Sequence, residues 1–305
     1  MTMTVPCPVL LDTDIGTDVD DAIAIGLILA SPDIDLRAVT IVSGNTQLRG
    51  RIAKKLLTLG GCHHVPVIAG VREPVLRQRT FLWLGHEGRR IVEPDEELCL
   101  ADAHAVDLLI DMVLRDRPHV VAIGPLSNLA VAIMKEPAVI TSIPHLTVMG
   151  GLLQRHPDMP LLDYNLGSDA EAAVVVLNAG IPTTLVPVDT TCKVFFTGAE
   201  LARLRATRSQ LVQTLCAAIE VWAPIQRALS IFQPDAVAFL HDPLTMAVLI
   251  DRSFLTFERL RLRPAIVDGN FQLIPEPGAP EFEVAVAVDA PGFVGFLLER
   301  LSRLP

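Results

Sequence analysis

Five aspartates lie within ten residues near the start of the chain, at Asp12, Asp14, Asp18, Asp20 and Asp21. An apolar segment, Pro8 to Leu11, precedes them, and a second one, Ala22 to Ala30, follows them. Carboxylates this close together repel one another unless protons, partners or a cation neutralise them, and a hard cation with oxygen ligands is the simplest neutraliser. The spacing therefore predicts a calcium-like metal site.

The two flanking segments predict the elements that hold these aspartates, a strand that ends near residue 12 and a helix over 20–30. The carboxylates then lie on a strand-to-helix turn at the carboxyl end of a strand, where open α/β sheets bind ligands. Aspartate is also favoured at helix N-termini, where it caps free N–H groups and faces the positive end of the dipole. Capping accounts for one or two of the five aspartates. The others, on a turn with Gly16 as a hinge, are then available to bind a ligand.

The remaining chain shows the pattern of an α/β protein. Short β-branched runs alternate with amphipathic runs, which is typical of βαβ units and a parallel sheet. We predict strands at 8–12, 36–42, 65–69, 119–123, 145–149 and 182–188, and helices near 20–30, 46–59, 102–116, 126–135 and 168–179. Later residues predict helical stretches at 198–225 and 242–250, strands near 257–267, 270–274 and 282–288, and a closing helix from Pro291 to Leu301. The expected fold is one domain over residues 1–305, a mostly parallel open sheet flanked by helices, with a helical and small β addition at its C-terminal end.

Composition excludes several classes of protein. Half of the 305 residues are hydrophobic, and the net charge is -10 with no Lys/Arg run longer than two, which argues against nucleic-acid and membrane partners. The five cysteines are odd in number and form no C-x-x-C pair, which fits reduced thiols rather than a disulfide framework or a zinc ribbon. Neither a signal peptide nor an apolar run of the roughly 20 residues that a membrane helix needs is evident. We therefore expect a soluble, unprocessed, cytoplasmic protein with a small-molecule partner.

Polar residues follow other predicted strands, on what should be the same edge of the sheet. Asn45 follows the second strand, Asn128 follows the fourth, the range 163–165 (Asp-Tyr-Asn) lies just beyond the fifth, and the range 241–243 (His-Asp-Pro) opens a later helix. Each has an ordinary alternative. The asparagines could be turn or cap residues, Asp-Pro is the pattern of an N-cap followed by proline, and a lone histidine is more often a surface or core residue than a catalyst.

Taken in order, these motifs resemble those of one family, the inosine-uridine preferring nucleoside hydrolases. The matching pieces are Asp12 to Ala22, Gly44-Asn45, Gly124 to Asn128, Met149 to Gly151, Asp163 to Asn165, Pro187 to Asp189 and His241 to Pro243. The resemblance implies a nucleoside hydrolase fold with a Rossmann-like core and Ca2+-dependent hydrolysis of ribonucleosides to ribose and free nucleobase. It also implies a nucleoside as the partner and a homodimer or homotetramer as the assembly.

The resemblance implies a role for each matching position. The Ca2+ ligands would be the carboxylates of four aspartates and one carbonyl, at Asp14, Asp20, Asp21, Asp242 and Ile123. The sugar would be bound by Asn45, Asp163 and Asn165, with the main chain of Met149 close by. Asp20 would be the general base that acts on a metal-bound water. His241, beside a metal ligand and expected to titrate near neutrality, would protonate the departing base.

The proposed chemistry needs these residue types. Breaking an N-glycosidic bond builds positive charge on the ribose ring, so the transition state is oxocarbenium-like. A carboxylate-rich pocket favours that cation, a divalent ion orients water and lowers its pKa, and an adjacent aspartate accepts the proton. Attack by water without a covalent sugar intermediate would follow.

Three positions depart from the usual family pattern. The segment Ile15 to Asp21 is two residues longer than the common form, in which Pro-Gly-x-Asp-Asp follows the second aspartate, so the register of the ligands stays open. Asp18 is then an extra carboxylate that could reach the metal or the water. Asp163 stands where the family usually has a glutamate. His86, in the long loop 71–100, could contact the base or be an ordinary loop residue.

Aromatic residues are the candidates for stacking on a nucleobase, because flat apolar faces suit flat heterocycles. They are Trp83, Tyr164, Trp222 and Phe232, of which we assign Trp222 to the substrate site together with His86. Core packing is the alternative explanation. The sequence favours neither purines nor pyrimidines.

Two other functions share the opening motif. Phosphatases of the haloacid dehalogenase type also begin with a strand followed by Asp-x-Asp, and they use Mg2+. They require Thr or Val where this chain has Gly16, and they require a lysine further along the chain. A nucleoside- or ribose-binding protein that keeps the metal site but has little turnover would fit the lengthened loop.

Overall fold

The computed structural model describes residues 5–153, 163–229 and 233–305. Its strands are β1 (Cys7–Thr13), β2 (Ile34–Ile41), β3 (Val67–Ala69), β4 (His119–Ala122), β5 (Leu146–Met149), β6 (Thr183–Val186), β7 (Phe195–Thr197), β8 (Ala236–Phe239), β9 (Leu255–Val267), β10 (Asn270–Pro275) and β11 (Glu281–Val288). Its helices are α1 (Asp20–Leu29), α2 (Thr46–Leu59), α3 (Ala105–Asp116), α4 (Ser127–Lys135), α5 (Ala138–Ser142), α6 (Tyr164–Ser168), α7 (Ala170–Leu177), α8 (Val188–Thr191), α9 (Gly198–Arg205), α10 (Gln210–Leu229), α11 (His241–Ile250) and α12 (Ala290–Ser302).

Within the described residues, nine strands form one sheet in the order β10-β9-β11-β6-β5-β4-β1-β2-β3. The seven strands from β11 to β3 pair in parallel, and β9 and β10 add an antiparallel edge. The chain runs outward from β1 to β3 on one side and from β4 to β6 on the other. The strand order therefore reverses between β1 and β4, and open α/β sheets bind ligands at the carboxyl ends of the strands beside such a reversal.

Helices cover both faces of the sheet because successive strand residues point to opposite faces. Leu11 and Val121 belong to one apolar core with α1, α2, α10, α11 and α12. Leu10 and Val120 belong to the other core, with α3, α4 and α7. All four strand side chains are fully buried, so the central strands are apolar on both sides, as expected of a parallel sheet between two helical layers.

The structure confirms the predicted fold class and corrects several boundaries. The single helical stretch predicted at 198–225 is wrong, since α9 and α10 are separated, and the Ser209 hydroxyl accepts a hydrogen bond from the N–H of Val212 where the second helix starts. The strand predicted at 182–188 ends at Val186, because Pro187 has no N–H to continue the ladder. The short strands β7 and β8, which form a separate antiparallel pair, were not predicted. None of the described helices combines the length and apolarity that crossing a membrane requires.

Candidate active site

Three buried carboxylates converge at the carboxyl end of the sheet. Asp20 and Asp21 open α1, and Asp242 lies in the first turn of α11. One carboxylate oxygen from each residue lies within 4.8 Å of those of the other two. The N–H of Asp242 also donates to Oδ2 of Asp20 at 3.3 Å, and the hydroxyl of Thr13 donates to Asp21. Two segments far apart in sequence thus bring their acids together.

The charges of this cluster are not balanced. Burial raises the pKa of Asp20, Asp21 and Asp242 well above the usual range, and the neighbouring carboxylates raise it further. Burial also raises the pKa of Asp18 to about 7. Several buried oxygen donors of one charge, close enough to share one ion, are what a hard divalent cation requires. The residues therefore fit a metal of the Ca2+ type.

A cavity of about 270 Å³ lies over the cluster, close to the lower end of the range for small-molecule sites, about 300 to 1,000 Å³. All but two of the predicted site residues line it, namely Asp14, Asp20, Asp21, Ile123, Met149, Asp163, Asn165, Trp222, His241 and Asp242. Asp18 and Tyr164, the extra carboxylate and a stacking candidate, line it too. Thr17, Leu82 and Val188 also line it and were missed, because only tertiary packing brings these three separate segments to the cavity.

Two other polar residues that line the cavity are held by backbone groups. Asp163 caps α6, with Oδ1 accepting from the N–H of Leu166 at 3.2 Å and Oδ2 accepting from the N–H of Gly151 at 2.9 Å. Burial raises the pKa of Asp163 to about 6. Asn165 donates through Nδ2 to the carbonyls of Ile123 and Met149, at 3.1 and 3.2 Å. It thereby joins the ends of β4 and β5 beside the cavity.

The start of α11 corrects one prediction and excludes one alternative. His241 contacts Oγ1 of Thr191 through Nδ1 at 2.7 Å, and burial lowers its pKa to about 4, so the prediction that it titrates near neutrality is wrong. The imidazole is neutral at pH 7. Asp242 is not an N-cap either, because the helix begins at His241, and the carboxylate joins the acidic cluster instead.

The family is decided by comparison with known proteins. A family model described as inosine-uridine preferring nucleoside hydrolase matches residues 9–295. The chain belongs to that family. The resemblance seen in the motifs is confirmed.

Relatives in the nucleoside hydrolase family match over nearly their whole length. The inosine-uridine preferring nucleoside hydrolase of Leishmania major is 28% identical, with 98% of each chain covered. The pyrimidine-specific ribonucleoside hydrolase RihA of Citrobacter koseri is 32% identical, with 97% of this chain and 98% of the relative covered. Among solved structures, a plant nucleoside hydrolase, the PpNRh1 enzyme, superposes with a TM-score of 0.86 at 29% identity, covering 98% of this chain and 100% of the other.

Family membership settles the enzyme class. The chain is an N-ribosyl hydrolase by family, as the residues indicated, and the phosphatase alternative is excluded. The named relatives differ in the base that their names specify. Family membership alone therefore does not decide between purines and pyrimidines.

Two residues assigned to the substrate in this nucleoside hydrolase lie outside the cavity lining. Asn45 is exposed and caps α2, with Oδ1 accepting from the N–H of Leu48 at 3.1 Å. His86 is buried behind the acidic loop, where Nε2 contacts the carbonyl of Thr17 at 2.8 Å and the ring stacks on Trp222 with centroids 5.6 Å apart. Their roles toward substrate stay predictions.

The structure also shows the surroundings of Asn128 and Trp83, two other candidates from the sequence. Asn128 neither caps nor turns, since Nδ2 donates to Oδ1 of Asp12 at 2.7 Å and to the carbonyl of Ile41 at 3.1 Å. It ties neighbouring strand ends together. Trp83 is partly exposed and lies over the guanidinium of Arg49. Phe232 lies outside the described residues.

Proposed function

We propose that this enzyme hydrolyses the N-glycosidic bond of ribonucleosides, giving ribose and the free base, with Ca2+ as its metal. The convergence of three buried carboxylates beneath the cavity carries the proposal. Ca2+ takes about six to eight oxygen ligands in flexible geometry. Asp20, Asp21 and Asp242 supply three donors, and Asp14 and the carbonyl of Ile123 line the same cavity.

The acidic side chains would share the work of the hydrolytic step. When bound, the divalent cation would orient a water molecule and lower its pKa. Asp20 would accept the proton of that water as general base, since its carboxylate belongs to the cluster and lines the cavity. The remaining negative charge would favour the positive charge that develops on the ribose ring.

Other residues that line the cavity would hold the sugar and assist the departing base. We assign sugar binding to Asp163 and Asn165, whose backbone hydrogen bonds fix their positions before substrate arrives. His241 is neutral at pH 7, so it would assist the base by donating a hydrogen bond rather than by carrying a full positive charge. Because a neutral imidazole carries a single N–H, donation from Nε2 requires Nδ1 to accept from the hydroxyl of Thr191, whose oxygen lies 2.7 Å away.

A panel of purine and pyrimidine ribonucleosides tests the proposal directly. Metal-depleted protein is assayed for reducing-sugar release without metal, with Ca2+ and with Mg2+. We expect release from at least one nucleoside, with Ca2+ restoring activity. The Asp242→Asn variant should require more Ca2+, whereas Asp111→Asn, an exposed aspartate on α3, should behave as the parent.

Two outcomes would contradict the proposal. Tight binding of nucleoside or ribose in calorimetry with no base release would favour a binding protein instead. Full activity after complete metal removal would refute the proposed requirement for a metal ion. Two further expectations, a homodimer or homotetramer and a cytoplasmic location, stay predictions. Light scattering on the purified protein measures the oligomeric state.

A further inference from the structure

A fully buried arginine lies beside the acidic cluster and takes no part in the proposed reaction. Arg49, on α2, is 0% exposed. Its Nε donates to the carbonyl of Ser43 at 2.8 Å, and its Nη1 donates to the carbonyls of Asp14 and Ile15, the second at 2.9 Å. Its Nη2 donates to Oγ1 of Thr17 at 2.9 Å. A buried charge is tolerated only when its donors are satisfied in this way.

The partners of Arg49 belong mainly to the lengthened part of the acidic motif. They include Asp14, Ile15 and Thr17, on either side of Gly16. The φ of Gly16 is +122°, in a region that favours glycine. The contacts are with neutral oxygens rather than with carboxylates. The guanidinium therefore acts on the path of the backbone between the first aspartate of the cluster and the start of α1.

The same hydrogen bonds continue into the loop at the cavity mouth. The hydroxyl of Thr17 accepts from Arg49 and donates to Oε1 of Glu87 at 3.3 Å. Glu87 in turn accepts from the N–H groups of Leu84 and Gly85, at 2.8 and 2.7 Å. Leu82, two residues before Leu84, lines the cavity. The buried guanidinium of Arg49 is thus linked, through Thr17 and Glu87, to the loop that contributes Leu82 to the cavity wall.

We propose that Arg49 is a positioning residue, whose forked guanidinium holds the lengthened turn 14–17 so that Asp14 and the aspartates at the start of α1 converge on a divalent cation. The inference rests on the proposed function, because it requires the acidic cluster to bind that cation. The charge of Arg49 opposes the rise in the pKa of Asp14 and Asp21, and a lysine would also supply that charge. The fork is what a lysine lacks, since a guanidinium presents five donors in a fixed plane and an ammonium is a compact point charge. A lysine at this position would keep the charge and lose the simultaneous contacts.

Calorimetric titration of metal-depleted protein with Ca2+ tests this role. We expect Arg49→Lys and Arg49→Met to raise the Ca2+ Kd by about 10- to 100-fold, the usual effect of losing a group that orients metal ligands. Thr17→Val, which removes one link and keeps the cation, should raise the Kd less. Arg51→Lys is the matched control, because Arg51 lies on the same helix and donates to the carbonyls of Glu93, Pro94 and Glu96. Its Kd should equal that of the parent.

Thermal unfolding separates positioning from general stability. If Arg49 is merely structural, its replacement lowers Tm equally with and without Ca2+. If Arg49 positions the metal ligands, its replacement also reduces the increase in Tm that Ca2+ produces. An Arg49→Lys protein with the parental Kd and the parental Ca2+-induced shift would overturn the inference, even if the parent hydrolyses nucleosides. A parent that binds Ca2+ but hydrolyses nothing would refute the proposed function alone, and one that binds no Ca2+ would refute both. If Arg49→Met fails to fold, Arg49→Lys and Thr17→Val decide.

Discussion

The two ends of the sheet both gather polar side chains, but they do so in opposite ways. At the carboxyl end, Asp20, Asp21 and Asp242 place charges of one sign together. At the amino end, a row of polar side chains lies across four neighbouring strands in two hydrogen-bonded groups, and the second group ends in a partly exposed ion pair. The row consists of His119, Thr147, His145, Thr184, Glu283 and Arg252.

Donors and acceptors match along the amino-end row. The hydroxyl of Thr184 donates to Oε2 of Glu283 at 2.7 Å, so its oxygen accepts from Nε2 of His145 at 2.8 Å. Glu283 also pairs with Arg252 at 2.8 Å. Nε2 of His119 lies 2.8 Å from Oγ1 of Thr147.

This difference separates a structural polar network from a binding site. Polar groups that satisfy one another need nothing further, whereas buried like charges raise the free energy of the fold until a ligand neutralises them. The amino end is therefore expected to support stability, and the carboxyl end to support binding. Each prediction below alters one end of the sheet and measures stability, binding or catalysis.

Replacing the general base should have the largest effect. Asp20→Asn keeps the shape of the side chain but cannot accept a proton, so we expect kcat to fall by about 10²- to 10⁴-fold. Steady-state kinetics at saturating Ca2+ measures this change. Asp111→Asn is the control, and a kcat within twofold of the parent for Asp20→Asn would remove the assignment.

Acid should weaken the amino end. Burial, His145 and Arg252 lower the pKa of His119 to about 4, below the value of 6.5 for an ordinary histidine. As the pH falls from 6.5 to 4, the unfolded chain takes up a proton that the folded chain refuses, so up to about 3 kcal/mol of stability is lost. Urea unfolding of the parent and of His119→Gln between pH 7 and pH 4.5 measures this effect.

The His119→Gln protein should be less stable at pH 7 but should lose less stability on acidification. His63→Gln, at an exposed histidine, controls for the loss of an imidazole. Equal acid sensitivity of the parent and His119→Gln would show that the amino-end row does not titrate in this way.

Calcium should stabilise only the carboxyl end. A ligand that binds the folded state alone at 100 times its Kd adds about 2.7 kcal/mol to the free energy of unfolding. Asp242→Asn should lose most of this gain and, without metal, should be more stable than the parent, because one like charge is gone. Chemical unfolding with EDTA and with Ca2+ checks both statements. A metal-free Asp242→Asn protein less stable than the parent would argue against repulsion in the cluster.

Removing one link of the amino-end row should have the smallest effect. Thr184→Val breaks the hydrogen bonds to His145 and Glu283 and should cost about 1 to 2 kcal/mol. Ca2+ affinity and kcat should stay unchanged, because the residue lies at the other end of the strand. Thr58→Val, at an exposed threonine of α2, should cost less, and a changed Ca2+ Kd in Thr184→Val would break the separation of the two ends.

The sequence predicts what local pattern determines. The acidic turn follows from the spacing of its aspartates beside an apolar strand, and the parallel sheet follows from alternating apolar runs. By contrast, Arg49 looks like an ordinary residue of an amphipathic helix, and only tertiary packing places it against the turn 14–17. The low pKa of His241 likewise depends on burial, which no short motif encodes. Thr17 and Leu82 were missed for the same reason.

The distance in sequence between the acids has a consequence for folding. Asp20 and Asp242 are 222 positions apart yet in hydrogen-bond contact, so a cation shared by them closes a ring through most of the polypeptide. A nascent chain that ends before α11 lacks one of the three carboxylates of the cluster. The complete set of acidic ligands is therefore available only after most of the polypeptide has been made.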